Sequence, residues 1–433
     1  MTRNTPTLLV ATTTWWPSVA VLASSLERAG FAVVVLCPQG HVAHAATRFN
    51  SIVLDNHHPR LALAAAIKAV SPSLVVPGDD RAVSHLLQLH QKGDADLKDI
   101  VTRSVGPASC HEVLTARVPL LRAAKKAGIP VPIFRQLPTL ADLDLWIAET
   151  PPPWVLKVDR AWGGEGVRVV QTPDAARRAF VDLTRGLSLG MALKRRVING
   201  DPHWLQERHD RSARLVSAQA FVSGRPGSCA VFARDGEVLG ATVVEAESSC
   251  GGQGPSTLVR SVERPGFVEG VQRLVAELGF SGFLGFDFMV DDRSDAALLI
   301  EMNPRITAPC RMRGPYKPHP VAAAARAFAC QPHERPQPPR TRFASFPLAW
   351  LGDPFAAELA ACQDDVPWHE PRLVEECLKP LWPERGGLAA LPGRVRRALD
   401  LLKTGTSPLD YRTKPLAWWR AQGVLRPPLS DET

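Results

Sequence analysis

Short aliphatic and β-branched runs alternate with amphipathic stretches over residues 7–90. Thr7–Ala11, Phe31–Cys37, Ile52–Asp55 and Leu74–Pro77 read as strands, and Ser18–Ala29, Leu61–Val70 and Ala82–Gln91 as helices, the first closed by Gly30. Regular alternation of this kind predicts a parallel, doubly wound sheet with helices on both faces. No GxGxxG follows the first strand; the loop there is TTTWWP, Thr12–Pro17, so a dinucleotide fold is disfavoured. Its hydroxyls and rings, with Asp79 after the fourth strand, are candidates to line a substrate pocket, while Asp80 reads as a helix N-cap.

Beyond a linker at Gly93–Pro107, residues 109–127 read as one helix ended by Gly128. Arg117 lies near its start, off the Leu120/Leu121/Ala124 stripe, and reads as a solvated cation. Residues 139–149 are a second helix and 173–190 a basic one. Trp204–Arg208, Val216–Val222, Ala230–Ala233 and Val238–Val244 read as strands, the last two joined by an Asp235-Gly236 hairpin turn. Residues 248–257 are too polar and flexible for a core, and helix 267–278 carries Val268, Val271, Leu274, Val275 and Leu278 on one face.

Two stretches carry candidate chemistry. Trp154–Val170 reads as strand, glycine-rich loop and strand, with Trp154, Leu156 and Val158 on one face and Val155, Lys157 and Asp159 on the other. A lysine beside Gly163, Gly164 and Gly166, whose loop amides are free to approach phosphate oxygens, is what a triphosphate requires. Phe283–Val290 and Ala297–Asn303 form a hairpin with a charged turn. Period two sets Leu284, Phe286, Phe288 and Val290 opposite Asp287 on the first strand. On the second it sets Leu298, Ile300 and Met302 opposite Leu299, Glu301 and Asn303, and Pro304 leaves Arg305 at the strand's mouth. Antiparallel pairing brings Asp287 beside Glu301 and Asn303, a hard oxygen set suited to Mg²⁺ shared with phosphates.

Composition narrows the reading. At 433 residues the chain has length for two or three domains, and 45% apolar with 22% charged residues is ordinary for a globular protein. A net charge of +8 suits an anionic substrate, but no basic run with interleaved aromatics points to nucleic acid. No run approaches the ~20 apolar residues of a membrane span. The apolar start suggests a secretory signal, but Trp15, Trp16 and Pro17 interrupt it and no small-residue cleavage site follows, so a first strand and helix of the fold is the expectation. The scattered cysteines contain no CxxC pair and read as reduced thiols in a cytoplasm.

Taken together, these residues resemble the ATP-grasp superfamily of carboxylate–amine and carboxylate–thiol ligases. Lys157, Gly163, Gly164, Gly166 and Val167 resemble its lysine and glycine-rich lid, and Gln206-Glu207 its adenine- and ribose-binding hinge. Asp287, Glu301, Asn303 and Arg305, in FDFM and IEMNPR, resemble its metal-binding hairpin, and Arg117 stands where the family usually has a nucleotide-contacting lysine. The resemblance implies a doubly wound domain over residues 1–108, an ATP-grasp domain over 109–330 with a mobile lid at roughly 150–203, and a C-terminal extension over 331–433 that matches no known pattern. Gly254-Pro255-Ser256-Thr257 and the helix after it most resemble members related to carbamoyl phosphate synthetase large chains and small stand-alone amide ligases. ATP and Mg²⁺, with Mn²⁺ as a substitute, are the implied cofactors. The implied activity activates a small carboxylic acid, an amino acid among the candidates, as an acyl phosphate and couples it to an amine, with Arg305 and Arg260 facing the substrate. A homodimer is the default for such enzymes. A non-catalytic ATP sensor and a small-molecule kinase are the alternatives on the same fold.

Overall fold

The computed structural model describes residues 5–159, 166–185, 215–249, 254–333, 341–353 and 355–379. Strands β1 (Thr7–Ala11), β2 (Ala32–Pro38), β3 (Asn50–Leu54) and β4 (Leu74–Pro77) form a parallel sheet in the order β3-β2-β1-β4. Their apolar runs are continuous because both faces are covered. Leu8 and Val10 pack with helix α1 (Pro17–Arg28), and Leu9 and Ala11 with α2 (Pro59–Val70) and α3 (Asp80–Lys92).

Two expectations fail in the next stretch. The linker at Gly93–Pro107 is a helix, α4 (Ala95–Val105), capped by Asp94 accepting from the Leu97 amide at 3.0 Å and closed by Gly106 at φ 85°. Its charged outer positions hid a buried stripe of Leu97, Ile100, Val101 and Val105. The single helix at 109–127 is broken at Ala116, whose backbone is extended, into α5 (His111–Thr115) and α6 (Arg117–Lys126). The break makes Arg117 the first residue of α6.

A six-stranded antiparallel sheet forms the base of the second half. Its order is β13 (Ala297–Asn303), β12 (Gly282–Asp291), β9 (Gly224–Arg234), β10 (Glu237–Ser249), β11 (Ser256–Ser261) and β14 (Arg342–Ala344). Strands β9 and β10 are longer than expected and absorb Ser248 and Ser249 of the segment read as loop, while β11 takes Ser256 and Thr257. Glycine is required at 227 because the Phe288 ring lies over it. A Cβ there would sit 2.3 Å from the ring. The helix expected at 267–278 is Pro265–Leu278.

The small antiparallel sheet has the order β5 (Phe134–Leu137), β8 (Val216–Ala220), β6 (Trp154–Val158) and β7 (Val167–Val170). Trp154, Leu156, Val158 and Ala218 pack there with Trp146 and Phe180 from helices α7 (Leu140–Glu149) and α8 (Pro173–Arg185), in a core of their own. The strand expected at Trp204–Arg208 lies outside the described residues. Packing elsewhere does not stop at residue 108. One core joins Leu9 and Ile100 to Val231 and Phe286, and another joins Leu8 and Val10 to Phe232, Phe283, Trp350 and Leu373. Residues 341–379 are thus built into the base. Glu370, fully buried, accepts from the Thr47 and Arg48 amides. The basic amphipathic stretch expected at Leu391–Lys403 and the tryptophan pair Trp418-Trp419 lie outside the described residues. No described helix is long and apolar enough to cross a membrane.

His41, 2% exposed, locks the loop between β2 and β3 against Trp16. Its Nδ1 accepts from the Ala43 amide at 3.1 Å and its Nε2 lies 3.2 Å from the Trp16 carbonyl, a pairing that needs the neutral ring. Burial pushes its pKa down to about 4. The unfolded chain therefore binds the extra proton first, and stability present above about pH 6.5 is lost as the pH falls towards 4. The loss expected from this residue is about 3 kcal/mol. Thermal unfolding across that range is expected to show a flatter pH dependence in His41→Asn, which keeps a capping acceptor but cannot titrate.

Candidate active site

Strands β12 and β13 place the acidic residues. Asp287 is paired with Glu301, and Gly285 with Asn303, so the three polar side chains share one face. The alternation expected along β13 breaks here. The register shifts between Asp287 and Phe288, leaving Ile300 as an extra residue, so Leu299 and Met302 both turn into the core. Without this bulge Leu299 and Glu301 would share a face. The opposite face of β12 is as expected, with Leu284, Phe286, Phe288 and Val290 essentially unexposed.

Asn303 Nδ2 donates to Asp287 Oδ2 at 2.8 Å, and Arg305 Nη2 donates to Asn303 Oδ1 at 3.0 Å. Burial raises the Asp287 pKa, and the neighbouring Glu301 carboxylate raises it further. Arg305 reaches across to the first half of the chain, its Nε donating to Asp80 Oδ1 at 3.1 Å. The roles expected of Asp79 and Asp80 are exchanged. Asp79, 1% exposed, is the cap of α3 through the Ala82 amide at 2.8 Å, and Asp80 is the partner of Arg305.

Facing these acids is the end of β6. The apolar side of β6 fills the small sheet's core, so Lys157 projects from the other side, 5% exposed. Among the described residues its ammonium has no hydrogen-bond or ion-pair partner. Burial and then the nearby Arg117 push its pKa down to about 7, while Glu301 and Asp287 pull it upward. Lys157 and Val167 are paired, and the Val158 amide donates to the Gly166 carbonyl at 3.0 Å. Gly163, Gly164, Gln206 and Glu207 lie outside the described residues.

Arg117 joins the two halves of the site and is not the solvated cation expected. It is 8% exposed in its side chain, with Nη2 donating to Glu301 Oε1 at 3.1 Å and Nη1 to Asp159 Oδ1 at 3.4 Å. The Arg117 amide also donates to Asp159 Oδ1 at 3.2 Å, so a carboxylate 42 residues away serves the open first turn of α6. Asp159 was visible in sequence only as a residue on the Lys157 face. A cleft of about 80 Å³ opens here, lined by Asp80, Thr115, Arg117, Asp159 and Glu301. Arg260 is not brought to the site. It pairs with Glu245, which lies beside Gly227 and Phe288, on the sheet face away from Asp287.

Replacing Arg117 by leucine leaves Asp159 and Glu301 without their bridge. Because Glu301 is 41% exposed, the expected destabilisation is about 1–3 kcal/mol, at the low end for a buried pair. Arg117→Lys is expected to recover only part of it, since an ammonium cannot span both carboxylates in this fork. Thermal unfolding of the two variants checks this.

A family model described as an ATP-grasp domain matches residues 117–309. No curated protein matches the chain. Among solved structures, the biotin carboxylase domain of the Hydrogenobacter thermophilus 2-oxoglutarate carboxylase, in complex with MgADP, ADP and bicarbonate, is 14% identical. That likeness covers 77% of this chain and 71% of that one, with a TM-score of 0.52. The Staphylococcus aureus N5-carboxyaminoimidazole synthetase complexed with ADP is 15% identical over 70% and 71%, TM-score 0.48. The Bacillus licheniformis L-amino acid ligase is 14% identical over 76% of each chain, TM-score 0.48. At such identities the likeness to the carboxylase domain establishes the fold, and the family match fixes its place in the chain: residues 117–309 are an ATP-grasp domain.

Proposed function

We propose that the protein is an ATP- and Mg²⁺-dependent ligase that activates a small carboxylic acid as an acyl phosphate and joins it to an amine, releasing ADP and phosphate. The observation that carries this reading is the buried ammonium of Lys157, without a hydrogen-bond or ion-pair partner among the described residues, opposite the Asp287/Glu301 pair. A buried cation without a partner is unfavourable, and so are two adjacent carboxylates. One ligand relieves both: an anionic triphosphate for Lys157, with a divalent cation for the acids.

The donors fit such a cation. Two carboxylates and an amide oxygen from adjacent strands are hard ligands, and no described group of three or more His, Cys, Asp or Glu side chains competes as a metal site. When bound, Mg²⁺ supplies charge neutralisation for the transferring phosphoryl group. The chain's own residues do the rest. Lys157 neutralises phosphate oxygens, Arg117 exchanges its hold on Glu301 for the nucleotide, and Arg305 holds the acid's carboxylate. A carboxylate oxygen attacks the γ-phosphorus and ADP departs. The neutral amine then attacks the acyl carbon, phosphate leaves, and the amine's proton is released. Transfer of this kind depends on positioning and charge more than on covalent help. The small sheet's separate core lets it close as a unit over the phosphates and exclude water. Arg260 has no role in this scheme. A small-molecule kinase would use the same first step but would need no amine.

Incubation with Mg·ATP and a panel of acids and amines is expected to release ADP and phosphate only with a matching pair, and AMP with pyrophosphate would exclude the acyl-phosphate route. Glu301→Gln, nearly isosteric, is expected to lower kcat by about a hundredfold or more while the fold persists by circular dichroism.

A further inference from the structure

Arg305 also borders a second feature. The strand order β3-β2-β1-β4 puts the crevice of the parallel sheet at the carboxyl ends of β1 and β4. The Gly78 amide donates to the Ala11 carbonyl at 2.8 Å, and the Ile306 amide to the Pro77 carbonyl at 3.0 Å, which seats Arg305 over that crevice. The guanidinium carbon of Arg305 lies 5.8 Å from the centre of the Trp16 ring. Its Nε and Nη2 are engaged by Asp80 and Asn303, but among the described residues Nη1 has no hydrogen-bond partner, and the side chain is 18% exposed.

Apart from Arg305 Nη1, the loop hydroxyls and first-turn amide that would receive a phosphate at this place are bonded to Asp79. The Thr13 amide and the Thr12 hydroxyl both donate to Asp79 Oδ2, the latter at 2.8 Å, while the first-turn amide of α3, Ala82 N, donates to Asp79 Oδ1. An internal carboxylate therefore fills the position that an incoming phosphate would take from such amides. Asp80 adds a second negative charge at the mouth. What the crevice offers is indole surface held in fixed positions. The Trp15 indole N–H donates to the Gln39 carbonyl at 2.9 Å, and neutral His41 holds the Trp16 carbonyl.

We infer that this crevice is the acid subsite and that it selects a carboxylic acid without a phosphate group, with the carboxylate on Arg305 Nη1 and an apolar or aromatic body against Trp16. The inference rests on the ligase reading above. Trp16 is then a specificity residue, and Asp79 a positioning residue that keeps phosphorylated acids out.

The test uses the full chain with saturating Mg·ATP and hydroxylamine as the trapping nucleophile. The acid's oxygen takes the γ-phosphoryl group, ADP leaves, and the hydroxylamine nitrogen displaces phosphate to give a hydroxamate and a proton. The probes are 3-phenylpropionate, L-phenylalanine and L-tryptophan against O-phospho-L-serine and 3-phosphoglycerate. At least one of the first group is expected to give hydroxamate about tenfold faster than either phosphorylated acid. Trp16→Ala is expected to raise KM for that acid about tenfold and leave KM for ATP unchanged, and Trp16→Phe to restore most of the loss. A preferred phosphorylated acid, no hydroxamate from any of the five while Mg·ATP still binds, or equal effects of Trp16→Ala on both KM values would overturn the subsite. Failure to bind Mg·ATP, or formation of AMP, would instead overturn the ligase reading.

Discussion

A lysine ammonium held out of water, with no partner among the described residues, is the constraint from which the site can be understood. Lys157 is 5% exposed, and its pKa is pushed down to about 7 by burial and by Arg117. Across from it, Asp287 is shifted the other way by burial and by Glu301. Each half is unfavourable alone, and Arg117, the bridge between them, satisfies Glu301 and Asp159, while Asp287 has the Asn303 amide as its partner and Lys157 has none among the described residues. On the proposed reading, the ligand that relieves both halves carries charge of both signs, as a metal-bound polyphosphate does.

The fold can hold this arrangement because its two jaws are anchored differently. The acidic hairpin belongs to a six-stranded sheet whose cores run without interruption into the parallel sheet and into residues 341–379. Lys157 stands on a small sheet with a core of its own. The base is therefore stiff and fixes Asp287, Asn303 and Arg305 against Asp80. The small sheet's core shares no residue with the large ones, which is what the proposed closure over the phosphates requires. Coupling between them passes through α6, whose first residue is Arg117 and whose open first turn is served by Asp159 from the far side of the cleft.

Much of this was legible in the chain because period-two and period-3.6 patterns report burial directly. Strands β1 and β4 have the boundaries expected, and the Lys157 face and the Asp287/Glu301/Asn303 face follow from alternation alone. The misreadings share a cause: a local signal outweighed by a contact from far away in sequence. Ile300 looks like the next core residue, but a bulge sets it aside and returns Met302 to the core. Arg117 looks solvated because the carboxylates that bury it lie 42 and 184 residues away. Arg260 looked like a substrate ligand because nothing in its neighbourhood reveals Glu245, its partner on the opposite face.

Calorimetric titration of the full chain with a non-hydrolysable ATP analogue in the presence of Mg²⁺ tests the two-jaw site most directly. Lys157→Met and Asp287→Asn, one from each jaw, should each weaken binding by about tenfold or more, whereas Arg260→Ala should leave the affinity within about twofold. Unchanged affinity in either jaw variant, or an equal loss in Arg260→Ala, would contradict the account.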